Sequence, residues 1–311
     1  MGLLFFWVLI QARKETKITM RVKEMIPNRV KEMIPNKIRE GLRKFQLNLY
    51  WLLRLRPSFI MLDGTMKMFL DKGDSVGYSL EEYEPFAVKI IKKHIKKGDV
   101  VIDGGASLGY FTLRFADIVG SNGEVFAFEP NGNNIPILLD SINENKFNDR
   151  VRLIQAALTD TDGEGELFVA PGAGSSVMYD EGRFSKVQRV KTQTIDSYFA
   201  NKRVDFIKLD IDGSEFYALK GAKETIQNNP NIKMLVEFSP QRIIDTGHQP
   251  EDVINLLKEY GFKIFCVSEG DKNLEEGVIN VFKLCELNKE KTRWGHYVNL
   301  LCIKEKKETG K

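Results

Sequence analysis

The sequence predicts an α/β protein: a mostly parallel sheet covered by helices on both faces, a three-layer sandwich. Three observations predict it. Apolar strand-like runs alternate with amphipathic helical runs from about residue 81 onward, an order that requires crossover connections and therefore parallel strands. The run Val100-Val-Ile-Asp-Gly-Gly-Ala-Ser-Leu-Gly-Tyr-Phe-Thr-Leu113 reads as a buried strand, a glycine-rich turn and a helix start. The run Glu124-Val-Phe-Ala-Phe-Glu-Pro130 reads as the next strand with a carboxylate at its end. The last two runs together describe a mononucleotide-type pocket. Its glycines let backbone approach a ligand, and Glu129 accepts hydrogen bonds from a ribose diol.

Taken in order, the chain begins with an apolar run of eight residues, Leu3 to Ile10. A spanning helix needs roughly 20 residues, and the run has neither a preceding basic residue nor a following small-residue cleavage site, so a secretory signal is weakly supported. Residues 21–36 repeat Arg-Val-Lys-Glu-Met-Ile-Pro-Asn twice. Two copies do not make a solenoid, and Pro27 and Pro35 break a continuous helix, so the repeat reads as a duplicated linker. From Lys37 to Arg56, Ile38, Leu42, Phe45, Leu49 and Leu52 mark one helix face, while Arg39, Arg43, Lys44, Arg54 and Arg56 supply positive charge. This is a basic amphipathic helix, suited to lie on a membrane or to pack on the body or a second subunit.

Residues 58–80 read as a hairpin region, with Met66–Leu70 as strand and Asp71-Lys-Gly-Asp74 as turn. A helix is expected from about Glu81 to Lys97, with Phe86, Ile90, Ile91 and Ile95 inward. Beyond the Val100–Asp103 strand, strands are expected at 124–128, 151–157, 204–210, 233–238, 262–268 and 297–303. Helices are expected at 109–119, 133–146, 214–228 and 250–260. Residues 170–185 form a Gly/Ser-rich loop long enough to serve as a lid.

Charge is unevenly spread. Residues 1–60 carry 13 Lys/Arg and 4 Asp/Glu, a net of +9 against +3 for the whole chain, which leaves the rest at −6. A basic arm ahead of an acidic body suggests that the arm meets an anionic phospholipid surface, and the acidic body argues against broad nucleic-acid binding. Cys266, Cys285 and Cys302 are odd in number and widely spaced. That argues against a disulfide framework or a zinc knuckle and fits a reducing cytosol. The expected location is therefore cytoplasmic, with peripheral membrane contact through residues 1–56.

The glycines narrow the ligand. Gly104, Gly105 and Gly109 give no G-x-G-x-x-G, which disfavours a dinucleotide dehydrogenase, and no G-x-x-x-x-G-K-[ST] is present. With no pyrophosphate or triphosphate to cradle, the better guest is a phosphate-free nucleoside such as S-adenosylmethionine. Ligands of open parallel sheets sit at the carboxyl ends of the strands. The polar candidates there are Asp103 to Ser107, Glu129 to Asn131, Ala157 to Asp160, Asp210 to Glu215, and Glu237 to Pro240.

Those segments resemble the FkbM-type methyltransferase family, a branch of the S-adenosylmethionine-dependent class I fold. The matching stretches, in order, are Tyr83-Glu-Pro85, Val101-Ile-Asp-Gly-Gly-Ala-Ser-Leu-Gly-Tyr-Phe-Thr112, Phe128-Glu-Pro130, Ile207-Lys-Leu-Asp-Ile-Asp-Gly-Ser-Glu215 and Val236-Glu-Phe-Ser-Pro240. The resemblance covers about residues 66–305. It implies a Rossmann-like methyltransferase fold with a seven-strand sheet and an antiparallel final hairpin. The chain then divides into a basic amphipathic extension (1–60), a methyltransferase domain (61–305) and a charged tail (306–311).

On that resemblance, Asp103, Gly105, Ser107 and Gly109 line the methionine side of S-adenosylmethionine, Glu129 holds both ribose hydroxyls, and Asn131 sits beside the adenine. The family usually has Asn or a similar small polar residue near Ser107 and commonly Val where Gly104 stands, which loosens the turn slightly here. Glu84, just before Pro85, reaches the cofactor amino group or else only favours the helix dipole. Asp210 ends the central strand beside the transferred methyl and takes a cofactor or catalytic role, while Glu237 faces substrate. Asp210, Asp212 and Glu215 invite a Mg²⁺ reading, but Asp212-Gly-Ser-Glu215 fits a capping-box-like helix start better, so no metal is assigned. His248 is the candidate general base for a hydroxyl; His94 is expected to be solvated and His296 structural.

The resulting expectation is an O-methyltransferase acting on a sugar, a glycan or another hydroxylated metabolite. A non-catalytic nucleoside-binding regulator or scaffold is the alternative, and polar residues at five strand ends argue against it. A nucleic-acid methyltransferase is disfavoured, since no Asn-Pro-Pro-Tyr or Pro-Cys motif for a flipped base is present.

Overall fold

A computed structural model describes residues 58–60, 64–71, 83–169, 175–176, 186–267 and 297–304. The apolar start, the octapeptide repeat, the basic amphipathic helix, Cys285, His296 and all of the 170–185 loop except 175–176 lie outside the described residues.

The main sheet has seven strands: β3 (Val100–Gly104), β4 (Glu124–Phe128), β5 (Val151–Ile154), β10 (Phe206–Leu209), β11 (Lys233–Phe238), β12 (Phe262–Val267) and β13 (Val298–Lys304). Their spatial order is β12-β13-β11-β10-β3-β4-β5. β5, β4, β3, β10 and β11 pair in parallel, and β13 runs antiparallel to both β11 and β12. The expected mostly parallel seven-strand sheet with an antiparallel final hairpin is what the chain forms. From β3 the chain steps to β4 and β5 on one side, and later to β10 and β11 on the other. The order therefore reverses between β3 and β10, where open α/β sheets place their ligands.

The strands are apolar on both faces because both are covered. Val101, Val125, Ala127, Phe206, Leu235 and Leu301 join one core with α1 (Pro85–His94), α2 (Tyr110–Val119) and α3 (Ile135–Glu144). Ile102, Phe128, Ile207, Leu209, Met234, Val236 and Leu300 join a second core. That core includes α4 (Ile195–Phe199), α5 (Glu215–Lys220), α6 (Lys223–Asn228), α7 (Pro240–Asp245) and α8 (Pro250–Glu259). Alternate residues of each strand thus enter opposite layers, the period of two that a sheet imposes. Within the region expected as a hairpin, β1 (Ser58–Ile60) pairs antiparallel with β2 (Lys67–Phe69); β2 falls in the expected strand, but its partner precedes it rather than following the expected turn at 71–74, most of which lies outside the described residues.

Several boundaries differ from the sequence reading, each for a physical reason. α1 starts at Pro85 rather than Glu81, since the residue before a proline is pushed from helical geometry and Glu84 is left-handed (φ 47°). The single helix expected at 214–228 is two, α5 and α6, broken at Gly221 and Ala222. A β-carbon on Gly221 would run into the Thr159 carbonyl, so this turn is held against the neighbouring chain. Thr194, whose Oγ1 accepts the Ser197 N–H (3.1 Å), starts the short α4, which was not expected. His94, expected to be solvated, is half-buried. Burial, then the Lys233 and Lys93 charges, lower its pKa to about 4.

A second sheet was not anticipated. β6 (Ala157–Leu158), β7 (Gly163–Val169), β8 (Ser175–Ser176) and β9 (Lys186–Gln193) form it in the order β6-β9-β7-β8. Its small core is Ala157, Leu167 and Val190. No helix among the described residues is long and apolar enough to cross a membrane.

Candidate functional site

The site is built from the last turns of β3, β4, β10 and β11. After β3 the chain folds back over β4: the Gly105 and Ala106 N–H groups both donate to the Phe128 carbonyl (3.0 and 2.9 Å). Gly105 is left-handed (φ 86°) and its missing β-carbon would fall on the Asp210 carbonyl. Only glycine closes the turn this tightly against β10. Ser107 is also left-handed (φ 49°), which aims its N–H at Glu129 Oε2 (2.7 Å). Gly104 leaves room for Leu158 and Leu209, each 2.9 Å from where a β-carbon would sit. Its departure from the family's usual valine therefore accompanies close packing rather than slack.

Glu129 is a buried hub. Its Oε1 accepts the Asn131 N–H (2.9 Å) and the Asn134 Nδ2–H (3.1 Å). Burial lifts its pKa to about 7, against the lowering effect of those donors and Ser107. A cleft opens over this hub, with Gly105, Ser107, Glu129, Asn134, Asp210 and Asp212 on its wall.

A row of polar residues crosses the sheet beneath the α1 and α2 layer. Asp103, Lys208, Glu237 and Asn299 each stand two residues from an apolar member of the first core, on the same face. Register sets Lys208 beside Asp103 and Asn299 beside Glu237. Lys208 is 1% exposed. Its Nζ donates to Asp210 Oδ2 (2.7 Å) and lies 4.4 Å from the centre of the Phe111 ring. Burial alone would lower this ammonium, but Asp210, Asp103 and Glu84 outweigh it and hold the pKa above the ordinary lysine value. Glu84 joins the row from the start of α1, accepting from Tyr297 Oη (3.3 Å) and Asn299 Nδ2 (3.2 Å). Burial, then the Asp210 charge, raise it.

Glu237 is 9% exposed. Burial and then Asp210, Glu215 and Glu84 push its carboxyl well above the usual range. Among the described residues nothing donates a hydrogen bond to it. Its one ion pair is Arg242 Nη1 at 4.0 Å, and the same guanidinium is engaged by Asp212.

The sequence candidates separate into two groups. Gly105, Ser107, Glu129 and Asp210 lie on the cleft wall; Asp103, Gly109, Asn131, Glu84 and His248 do not. Asp103 sits beneath it, with Oδ2 accepting from Thr112 Oγ1 (2.6 Å) and Oδ1 buried without a partner. Gly109 opens α2, left-handed at φ 98°. Asn131 adjoins Glu129. His248 packs on the rings of Phe216 (4.0 Å) and Tyr217 (5.0 Å), with Nδ1 3.7 Å from Asp252. It follows α7, which the sequence did not reveal and which carries the chain on past the Glu237–Ser239 strand end.

The capping-box-like start expected over Asp212–Glu215 takes a different form. Ser214 makes no side-chain cap, and Glu215 Oε1 instead accepts the Ile211 N–H (2.8 Å), closing the loop after β10. Lys208, Asn134 and Gln188 were missed as site residues. Lys208 had a signal, a lone lysine inside the apolar run Phe206–Leu209; the other two had none.

These residues fit a phosphate-free nucleoside. Glu129 is a buried acceptor, Gly105 leaves a cradle that any side chain would distort, and Asp103 Oδ1 is a buried acceptor still lacking a donor. Among the described residues, no group of three or more His, Cys, Asp or Glu is placed to hold a metal ion.

A family model described as the FkbM methyltransferase domain matches residues 103–264, just over half of the chain. No curated protein matches. Among solved structures, the chain is similar to an S-adenosylmethionine-dependent O-methyltransferase from Thermotoga maritima, with 14% identity over 76% of this chain and 72% of that one (TM-score 0.42). It is similar to a precorrin-6y C5,15-methyltransferase from Geobacter metallireducens, with 13% identity over 75% and 96% (TM-score 0.41). It is also similar to the fibrillarin pre-rRNA processing protein of Methanococcus jannaschii, with 19% identity over 71% and 75% (TM-score 0.39).

Proposed function

This chain belongs to the FkbM methyltransferase family and is an S-adenosylmethionine-dependent methyltransferase; from that premise we propose that it methylates a hydroxyl group on a sugar, a glycan or another hydroxylated metabolite. When bound, the cofactor supplies a methyl group activated on a sulfonium. Glu129 and the Gly105 turn hold the nucleoside end. Asp210, fixed by Lys208, stands at the strand end where the methionine end arrives, and Asp103 Oδ1 lies beneath.

The observation that carries the hydroxyl reading is Glu237. A neutral hydroxyl that attacks the methyl carbon must lose a proton as the oxygen–carbon bond forms and the carbon–sulfur bond breaks. The general base for it needs free lone pairs and a pKa nearer neutrality than an ordinary carboxylate. Glu237 ends β11 with no hydrogen-bond donor to it among the described residues, burial raises its carboxyl above the ordinary range, and it adjoins Asp210 through the β10–β11 register. Asp210 itself is engaged by the Lys208 ammonium (2.7 Å).

The test is methyl transfer to a panel of glycans and hydroxylated metabolites, read by mass spectrometry and by stability of the product to alkali. Alkali-stable ether products, falling by about 10²-fold or more in Glu237→Gln, are expected. Transfer solely to amines, or alkali-labile esters, would overturn the reading.

A further inference from the structure

Gln188 reaches Asn131, beside the Glu129 hub, from the second sheet. It lies on β9, and its Nε2–H donates to Asn131 Oδ1 (3.2 Å) across a separation of 57 residues. Its Oε1 accepts the Gly132 N–H (3.3 Å). The same Asn131 Oδ1 takes the Asn133 backbone N–H (3.0 Å). A backbone donor cannot be mistaken for an acceptor, so this bond fixes which way the Asn131 amide faces. With the oxygen held by two donors, Nδ2 is turned the other way.

Asn131 is 7% exposed, and no acceptor among the described residues takes its Nδ2. Nδ2 is not among the fully buried unpartnered atoms, so this donor still faces space that a ligand acceptor can enter. It adjoins the carboxylate hub, because the Asn131 backbone N–H donates to Glu129 Oε1.

We infer that Gln188 is a positioning residue for the adenine end of the cofactor. It holds the Asn131 amide so that Nδ2 presents a donor to an acceptor nitrogen of the base. The second sheet thereby takes part in reading the nucleoside. The inference rests on the methyl-donor assignment and goes beyond it, since the family match over residues 103–264 assigns no role to Gln188.

The test is calorimetric titration of S-adenosylhomocysteine into the wild type, Gln188→Ala, Gln188→Glu, Asn131→Ala and the Asn131→Ala/Gln188→Ala pair. Loss of about tenfold in affinity is expected for each single variant. Gln188→Glu keeps an acceptor for Gly132 but repels Asn131 Oδ1, so it is expected to bind no better than Gln188→Ala. The pair is expected to bind about as weakly as Asn131→Ala alone, because one residue acts through the other.

A purely structural role would not predict base discrimination. With the 1-, 3- and 7-deaza adenine analogues, the wild type should lose about tenfold for one ring nitrogen, and Gln188→Ala should lose nothing for any. Unchanged affinity in both Gln188 variants, additive losses in the pair, or equal analogue losses in wild type and variant would each overturn the role of Gln188 while leaving the cofactor in place. A folded wild type that binds no S-adenosylhomocysteine would overturn both.

Discussion

At Glu129, burial and hydrogen bonding pull one carboxylate in opposite directions. Burial raises its pKa to about 7, and the Asn131, Ser107 and Asn134 donors restrain the rise. A carboxylate has about four lone-pair positions, and three are taken by those donors. One is left for a ribose hydroxyl. The second hydroxyl of the expected diol contact has to displace the Asn134 amide. Replacing Glu129 by Gln puts a donor where acceptors are required, and S-adenosylhomocysteine affinity should fall about ten- to hundredfold by calorimetry.

Glu215 shares the raised pKa of about 7, through burial first, but serves the loop after β10 rather than the cleft wall. Its folded-state value exceeds the ordinary 4.5. The folded protein therefore holds the proton more tightly, and this stabilisation is full below about 4.5 and lost as pH rises through about 7. Denaturant titrations at about pH 5 and about pH 8 should show Glu215→Gln losing less stability between the two than the wild type. The difference should be on the order of 3 kcal/mol.

At the scale of elements, β10 shows how a strand can carry charge inside a sheet covered on both faces. All four residues of Phe206–Leu209 are buried, and Lys208 survives there through Asp210, Asp103 and the Phe111 ring. Lys208→Met removes the cation and leaves the carboxylates. Stability should drop by about 3–5 kcal/mol in chemical denaturation, with part recovered when Asp210→Asn is added.

The main-sheet strands were legible in the sequence because each is an apolar run ended by a turn or a polar residue, and Gly105, Ser107, Glu129 and Asp210 stand at those ends. The second sheet was not legible. β7 and β9 each bury one large side chain, Leu167 and Val190, so no alternation marks them. The split at Gly221 was hidden for a different reason: it is imposed by the Thr159 backbone, which lies far off in sequence. Gln188 is visible only once β9 is folded beside Asn131.

For the whole molecule, the division between a +9 arm and a −6 remainder is the feature that composition alone exposes. We propose that residues 1–56 bind anionic phospholipid. Deleting them should abolish co-sedimentation with phosphatidylserine vesicles while leaving S-adenosylhomocysteine affinity unchanged, and full co-sedimentation without them would sink the idea. The order of the sheet has a further consequence at this scale. β13, the last described strand in the chain, lies between β11 and β12 rather than at an edge, and Tyr297 and Asn299 at its start hold Glu84. During synthesis, β11 and β12 therefore emerge from the ribosome with their facing edges unpaired. Unpaired edges template association between chains. A nascent chain halted before Val298 would leave Glu84 without its Tyr297 and Asn299 partners and both strand edges open to association.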